Sequence, residues 1–499
     1  MSGIRVTYTG LIAFIGGIIS VFTGLIFSLI ITRTVTPEEY GTWGLITALI
    51  IYVSLIGPIV TFWSTRDTAR NINSGKTAIM SSLVLSTGAI SIYIAISYFM
   101  SYYTNIEQNA LLFAVILIPP VFMNGILTAI NLGWKPQAIT YGTLAYGVSS
   151  IPIALFFIYH LNFGVTGIII SVFLANIISI IILFYYAKEK IRNQFNKLIF
   201  KKWLRLSWIP LYPGLAILVG GLDVSVFTII TGSVIGLAFW TAAMILPSLV
   251  SHTALISRAL YPKLLEEKTK EFFSDNLTLL FYFGTILVSL VIIFARPGLY
   301  ALNPIYEIVF PVAIILSFEM LLTVLTNILL LGLAGIEKVD KFENSTFKDY
   351  VKSKLFFPQT LRLIQTSVYL IILTVGLVIL VGFESSNLEL LLFWASIAVA
   401  TQIPLVCILY YYVHKNIIFK LETTRIIKFV LVAVVIFGFT YYLTEQFLVY
   451  TDDIFSFIPN VIMFVSFGAG LYFVITCLID NKIRNLVEAV IYEIKTRVS

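Results

Sequence analysis

The feature of this sequence that most limits its fold is a nearly continuous series of long apolar segments. A transmembrane helix needs about 20 consecutive, mostly apolar residues. Fourteen segments reach that length, at residues 8–33, 41–63, 77–103, 110–133, 138–160, 164–187, 207–230, 234–256, 276–295, 306–334, 359–383, 388–413, 428–447 and 457–479. The gaps are too short for a nucleotide-binding domain, so we do not expect this chain to drive transport with ATP by itself.

The composition is that of a membrane protein. Of the 499 residues, 59% are apolar and 11% are charged, with a mean hydropathy of +0.98. Soluble domains carry about 25% charged residues. The net charge of +7 would suit a nucleic-acid partner, but the positions of the basic residues follow the membrane topology instead. We therefore predict no nucleic-acid binding.

The lysines and arginines indicate how the chain is oriented in the membrane. Cytoplasmic loops carry an excess of both residues. With the N-terminus inside, only Arg33 and Arg296 fall on the outer side. An error in the helix count would place many more of the basic residues on the outer side. We predict an all-α polytopic protein of the cell (cytoplasmic) membrane, with fourteen transmembrane helices and both termini cytoplasmic.

The chain divides near its middle into two similar halves. The inner connector 188–206 is basic and amphipathic, which is typical of a segment on the inner leaflet. Gly41-Thr42-Trp43 after helix 1 has a loose counterpart in Gly236–Trp240 after helix 7, as parallel repeats would produce. We predict two pseudo-symmetric six-helix lobes and two added helices: an N-lobe at 1–187, a cytoplasmic linker at 188–206, a C-lobe at 207–414, and helices 13 and 14 with a cytoplasmic tail at 415–499.

No catalytic or metal-binding motif is recognisable. Cys407 and Cys477 lie in apolar segments, and the three histidines have no metal-ligand spacing. Gly75-Lys76-Thr77 lacks the earlier glycine that a P-loop requires. Glu38 and Glu39 fit helix-cap carboxylates better than a metal-dependent glycosyltransferase site. We predict a protein that is not an enzyme and has no cofactor and no metal site.

Two acidic residues lie deep in predicted helices, where a charge costs roughly 2.5–3.5 kcal/mol on insertion scales. Asp223, in the outer half of helix 7, fits a buried structural carboxylate and a coupling-cation or gating site equally well. Glu319 in helix 10 is followed by Thr323 and Asn327 at i+4 and i+8, on one helix face. This stripe favours a helix face directed at a shared cavity rather than at lipid.

Two further polar residues share a face near the inner end of helix 11. Arg362 and Gln365 are spaced i and i+3, at roughly the depth of Asn327. They could receive a phosphate headgroup, which a guanidinium binds well. Arg362 could equally be an inner-leaflet anchor that extends its charge to the interface.

Residues 30–44, IITRTVTPEEYGTWG, resemble the polysaccharide and lipid-linked oligosaccharide flippases (Wzx-like) of the multidrug/oligosaccharidyl-lipid/polysaccharide (MOP) exporter superfamily. The resemblance rests on an Arg that closes helix 1 and a Pro-acidic-acidic-Tyr-Gly turn before an aromatic residue: Arg33, Pro37, Glu38, Glu39, Tyr40, Gly41 and Trp43. Asp223, the run Ser257–Pro262 and Gly335–Lys338 also resemble the family. Helix count and loop lengths extend the resemblance over the whole chain.

The resemblance implies a flippase that moves polyprenyl-(pyro)phosphate-linked oligosaccharide from the inner to the outer leaflet by alternating access. We expect Asp223 with Arg33 or Arg296 to form an outer gate. Arg258 and Arg362 are our candidates for the phosphate at the inner side, and Glu319 for the cavity or a coupling cation. Expected partners are membrane lipid and the lipid-linked oligosaccharide, with H+ or Na+ as coupling ion, glycosyltransferases as further candidates, and a monomeric state.

Two alternatives stay open. A cation-coupled exporter of small amphiphilic compounds (MATE-like), from the same superfamily, would suit deep acids and few deep cations. Such exporters generally have twelve helices and lack the Pro-Glu-Glu-Tyr-Gly type of turn. A membrane glycosyltransferase or polysaccharide polymerase is the third hypothesis, and the short outer loops count against it.

Overall fold

The computed structural model describes residues 3–104, 106–259, 270–336, 353–354, 356–417, 419–485 and 488. These residues form helices and short connections, and none of them is in a strand. The α-helices are α1 Gly3–Thr34, α2 Pro37–Ser54, α3 Pro58–Ala69, α4 Gly75–Tyr103, α5 Gln108–Phe113, α6 Ile118–Trp134, α7 Gln137–Ala154, α8 Gly164–Ile191, α9 Lys197–Arg205, α10 Trp208–Thr231, α11 Val234–Ser248, α12 Lys270–Leu302, α13 Phe310–Ile336, α14 Phe357–Gly382, α15 Asn387–Asn416, α16 Thr423–Phe447 and α17 Ile454–Ile479.

Most of these helices have the length and apolarity of membrane spans. Among the described residues, twelve helical stretches are long and apolar enough to cross a membrane, and α2 with α3 forms a thirteenth candidate bent by 60°. The bend precedes Pro58, which starts α3 because a proline fits the first turn of a helix and lacks the N–H that would continue the hydrogen bonding of the preceding one. Helix α1, apolar over Ile19–Thr34, occupies the remaining predicted segment. The all-helical, multi-pass architecture is confirmed, whereas the number fourteen and the orientation of the termini stay predictions.

Several spans change helix type near a proline. A 3-10 turn at Ala114–Leu117 precedes Pro119 and Pro120, and another stretch, Leu249–Ala259, follows Pro247. Helix α7 continues as a π-helical turn at Leu155–His160 after Pro152. A proline removes a backbone hydrogen bond and crowds the preceding turn, so each change of helix type has a local cause.

The chain forms two compact units. The first contains residues 1–242 and 366–390, and the second contains 243–365 and 391–499. These bounds differ from those of the predicted lobes, and the division into lobes stays a prediction. In the first unit a core cluster joins α3, α4, α6, α8 and α9, with Ile130, Leu183 and Trp203 fully or almost fully buried.

In the second unit, α12 is the central helix against which α13, α16 and α17 pack. An aromatic cluster joins Tyr282 of α12 to Phe429 and Tyr472, and the Tyr282 hydroxyl lies 2.9 Å from Thr476 Oγ1. Predicted helices 13 and 14, which are α16 and α17, are therefore integral parts of this unit.

Candidate functional site

The deep carboxylate of the first unit, Asp223, lies where α2, α10 and α14 meet. One of its oxygens accepts a hydrogen bond from the Tyr369 hydroxyl at 2.7 Å, and the other accepts one from the Val224 N–H at 2.7 Å. An ionised carboxylate accepts hydrogen bonds and cannot donate them, so the Tyr369 hydroxyl suits the charged form of Asp223.

A second tyrosine extends this polar cluster. The Tyr52 hydroxyl of α2 donates to the Gly221 carbonyl and accepts a hydrogen bond from Ser225 Oγ at 3.3 Å. A Cβ on Gly221 would lie 3.2 Å from the Tyr52 ring, so the glycine allows this close approach. Sequence reasoning missed both tyrosines, because no spacing links positions 52, 223 and 369.

The Pro-Glu-Glu-Tyr-Gly turn is built for tight packing. A Cβ on Gly41 would lie 2.1 Å from the Val234 carbonyl oxygen, and one on Gly44 would lie 2.5 Å from Thr241 Oγ1. Two glycines of this segment therefore let α2 contact the start of α11 almost backbone to backbone.

The acidic residues of the same turn stabilise the start of α2. Thr36 Oγ1 accepts from the Glu39 N–H at 3.3 Å, and Glu39 Oε2 accepts from the Thr36 N–H at 2.9 Å, which is a complete capping box. The prediction of a helix cap is confirmed for Glu39. Arg33 lies in the last turn of α1, just before this turn, and is half-buried.

Arg296 has its own carboxylate partner in the second unit. Its Nε lies 2.6 Å from Glu307 Oε1, and its guanidinium lies 5.7 Å from the centre of the Tyr450 ring. Burial raises the pKa of Tyr450 to about 12, although the charge of Arg296 acts in the opposite direction. Arg296 therefore contacts the 3-10 turn Pro304–Val309 and the connection between α16 and α17.

Two members of the predicted polar stripe, Glu319 and Thr323, lie on one face of α13. Thr323 Oγ1 donates to Glu319 Oε1 at 2.7 Å, which places both side chains on one face, and Asn327 is half-buried further along the helix. The charge of Arg362 on α14 interacts electrostatically with Glu319. Two predicted site residues from different helices therefore influence each other electrostatically.

Further amides and hydroxyls connect α13, α14 and α15 in the second unit. Gln365 Nε2 donates to Thr401 Oγ1 at 3.2 Å, and Gln402 Nε2 donates to Thr326 Oγ1 at 2.8 Å. Gln402 is 7% exposed, so its side chain must find partners within the protein. In the sequence, one signal pointed to these contacts: Thr401 and Gln402 are adjacent polar residues inside an apolar segment.

Some predicted residues lie outside the part of the chain that is described. The backbone of Arg258 belongs to the 3-10 stretch Leu249–Ala259, but its side chain lies outside the described residues. Residues 260–269, Glu337, Lys338 and most of the predicted inner loop 335–358 also lie outside the described residues. The roles predicted for them stay predictions.

The first unit also contains a largely apolar cavity of about 460 Å³. It is lined by α2, α7 and α8 together with the region around Leu117, including Trp43, Thr47, Ile50, Tyr146 and Val172. Ligand cavities are commonly lined by apolar and aromatic side chains with a few polar groups. This cavity has that character.

Comparison with known proteins finds similarity in structure alone. No family model matches the chain, and no curated protein matches its sequence. Among solved structures, an inward-facing multidrug resistance MATE transporter of the MOP superfamily aligns with a TM-score of 0.60 and 16% identity, over 79% of this chain and 95% of the other.

Two further structures extend the comparison. The lipid II flippase MurJ, in an inward closed conformation, aligns with a TM-score of 0.62 and 13% identity, over 96% of this chain and 100% of MurJ. A MOP superfamily transporter from Pyrococcus furiosus, described as having a binding pocket of reverse polarity, aligns with a TM-score of 0.54 and 15% identity, over 82% and 95%. The chain has the fold of these transporters and flippases.

Proposed function

We propose that this protein is a flippase that moves polyprenyl-(pyro)phosphate-linked oligosaccharide from the cytoplasmic to the outer leaflet by alternating access, for the synthesis of surface polysaccharide or glycoprotein. The observation that carries the proposal is the extent of the structural similarity. MurJ aligns over 96% of this chain, whereas the inward-facing MATE transporter aligns over 79% and leaves the remainder unmatched.

The phosphate group of the substrate would be received by the polar residues at the inner end of α14. Arg362 offers a guanidinium with several donors, which suits phosphate oxygens, and Gln365 lies one turn further on the same helix. Glu319 interacts electrostatically with Arg362, so an arriving phosphate would compete with this carboxylate. Thr323 and Asn327 would line the same cavity, and Arg258 would be a second cation for the phosphate.

An outer gate would involve Asp223. Its carboxylate is held by Tyr369 and lies next to the hydroxyl cluster around Tyr52. Arg33 belongs to the same compact unit as Asp223, whereas Arg296 belongs to the other unit, which favours Arg33 as the basic residue of the gate. A coupling ion, H+ or Na+, would act at Asp223 or Glu319, because both are deep carboxylates.

The second candidate is a cation-coupled exporter of amphiphilic compounds. It is favoured by the similarity to MATE transporters and by the cavity lined by Trp43 and Tyr146. Against it, the deep acid Glu319 already has a basic neighbour in Arg362. A carboxylate compensated in this way attracts a cationic drug less strongly.

The test is a binding measurement on the purified protein, with a fluorescent polyprenyl-pyrophosphate oligosaccharide and a cationic dye as ligands. We expect tighter binding of the lipid-linked oligosaccharide, and a loss of about tenfold in Arg362→Gln, since a hydrogen-bonded charge contributes about 1.5–3 kcal/mol. Arg70→Gln, at an exposed arginine, is the matched control and should bind as the wild type does. Tighter binding of the dye, or equal losses in both variants, would contradict the proposal.

A further inference from the structure

The predicted cytoplasmic linker and the first inner loop together form a basic surface with a cavity in it. We propose that this surface binds the headgroup of an anionic phospholipid of the inner leaflet. The site is distinct in its residues from the predicted substrate-binding residues, and the proposal does not rest on the proposed function.

The two chain segments that form the surface are firmly joined. Lys190 Nζ donates to Asn71 Oδ1 at 3.0 Å, and the Asn196 N–H donates to Thr77 Oγ1 at 2.8 Å. A Cβ on Gly75 would lie 2.1 Å from the Lys190 carbonyl oxygen, so the backbones touch at this point. The relative position of the two segments that form the surface is therefore fixed by direct contacts within the first unit.

Helix α9 directs its charges away from the helix bundle. Asn196 caps its first turn, accepting from the N–H groups of Leu198 and Ile199 at 2.9 and 3.3 Å. Trp203 is 1% exposed and donates through its indole N–H to Asp67 at 3.1 Å. With this face fixed against the bundle, the cations of the helix are exposed: Lys197, Lys201, Lys202 and Arg205.

The acidic residues nearby do not balance these cations. Glu189 is the single acid of residues 188–206, and it lies 3.9 Å from Lys135. Asp67 is 9% exposed and accepts from the Trp203 indole N–H, so its carboxylate lies below the exposed surface. Lys190 lies 4.1 Å from the centre of the Trp134 ring. The exposed lysines of α9 consequently produce a positive electrostatic potential at this surface, which attracts anions.

The cavity at this surface combines polar and apolar groups. It has a volume of about 420 Å³, and Asn73, Asn193, Gln194 and Lys197 contribute to its lining. Phe195 and Leu198, which also line it, are 45% and 78% exposed. Amides and a lysine suit a phosphate with hydroxyl groups, while exposed apolar side chains next to cations are typical of helices at the membrane interface. This mixture favours a phospholipid over a free anion.

Lipid binding to the purified full-length protein tests the proposal, measured by native mass spectrometry with phosphatidylglycerol and phosphatidylcholine as probes. Each basic residue near an anionic lipid surface contributes about 1 kcal/mol, or about fivefold in affinity. We expect the wild type to prefer phosphatidylglycerol. The triple variant Lys197→Gln, Lys201→Gln, Lys202→Gln should lose at least about tenfold of this preference, and it leaves the Trp203–Asp67 contact untouched.

The matched control removes three exposed lysines from the second unit, in the variant Lys415→Gln, Lys420→Gln, Lys428→Gln. It should keep the preference for phosphatidylglycerol. Equal retention of the two lipids by the wild type, or equal losses in the two triple variants, would overturn the proposal. Displacement of the lipid by millimolar inorganic phosphate would also overturn it, because the site would then be one for free anions.

Discussion

At the scale of single residues, Asp223 is a carboxylate inside a candidate membrane span, α10. A carboxylate inside a membrane span is expensive unless it has partners, and Asp223 obtains them from Tyr369 and the Val224 N–H. A charge held in this way can exchange partners when the protein changes conformation. This is the physical basis of our proposal that Asp223 belongs to an outer gate.

Single glycines determine how closely α2 approaches α11. We expect Gly41→Ala to lower the free energy of unfolding by about 1–3 kcal/mol, the usual cost of overpacking, because the added Cβ meets the Val234 carbonyl oxygen at 2.1 Å. Thermal unfolding in one detergent measures the effect. Gly88→Ala is the control, since a Cβ at Gly88 meets no atom within 4 Å, and alanine stabilises a helix relative to glycine by about 1 kcal/mol. A Gly41→Ala variant as stable as the wild type would show that α2 and α11 do not need this contact.

At the scale of helices, the length of each apolar segment predicted where helices lie, and the i+4 spacing predicted which residues share a helix face. The segments predicted at 77–103 and 164–187 correspond to Gly75–Tyr103 and Gly164–Ile191, because burial in lipid demands a minimum length. The i+4 spacing correctly placed Glu319 and Thr323 on one face. The segment 41–63, predicted as one helix, is two helices bent by 60°, since Pro58 starts a new one.

Contacts between helices could not be predicted in the same way. Tyr52, Asp223 and Tyr369 belong to three helices that are far apart in the sequence. Their hydroxyl and carboxyl groups produce no periodic pattern in the sequence. The interaction of Arg362 with Glu319 likewise depends on how α13 and α14 pack. A single sequence shows which residues share a helix face, but it does not show which faces pack against each other.

The start of α16 and the end of α17 are held to the start of α12 by a network of ion pairs. Arg425 donates through Nε and Nη2 to the two Asp480 oxygens at 2.6 and 2.7 Å. Lys482 Nζ lies 2.9 Å from both Asp275 and Glu422. Burial alone would raise the pKa values of Glu422 and Asp480, but hydrogen bonds, chiefly from Arg425, outweigh it and hold both pKa values below the ordinary range.

This network predicts a loss of stability in acid. Carboxyl groups whose pKa is lowered by folding stabilise the protein above their ordinary pKa, and this contribution disappears as the pH falls through the lowered value. We expect thermal stability to hold down to about pH 4, the ordinary range of carboxyl groups, and to fall below it. Arg425→Gln should cost about 2 kcal/mol at neutral pH and make the acid loss shallower. An unchanged acid profile in Arg425→Gln, with Arg70→Gln as control, would contradict this account of the network.

At the scale of the whole molecule, the fold is that of transporters and flippases, and MurJ and the MATE proteins align with most of the chain. No folded soluble domain interrupts the helices among the described residues. Under the proposed function, this chain would move its substrate by changing conformation. Whether the substrate is a lipid-linked glycan or a small amphiphile is therefore decided by a transport measurement.

The central claim is tested most directly by leaflet exposure of a fluorescent polyprenyl-pyrophosphate oligosaccharide in proteoliposomes. We predict movement in the wild type and a loss of at least about tenfold in Asp223→Asn, equivalent to about 1.4 kcal/mol in the transport barrier. Asp452→Asn is the matched control, because Asp452 also accepts from a tyrosine, Tyr300, at 3.0 Å but is exposed, and it should transport as the wild type does. No movement in the wild type under any imposed ion gradient, or unchanged transport in Asp223→Asn, would contradict the account.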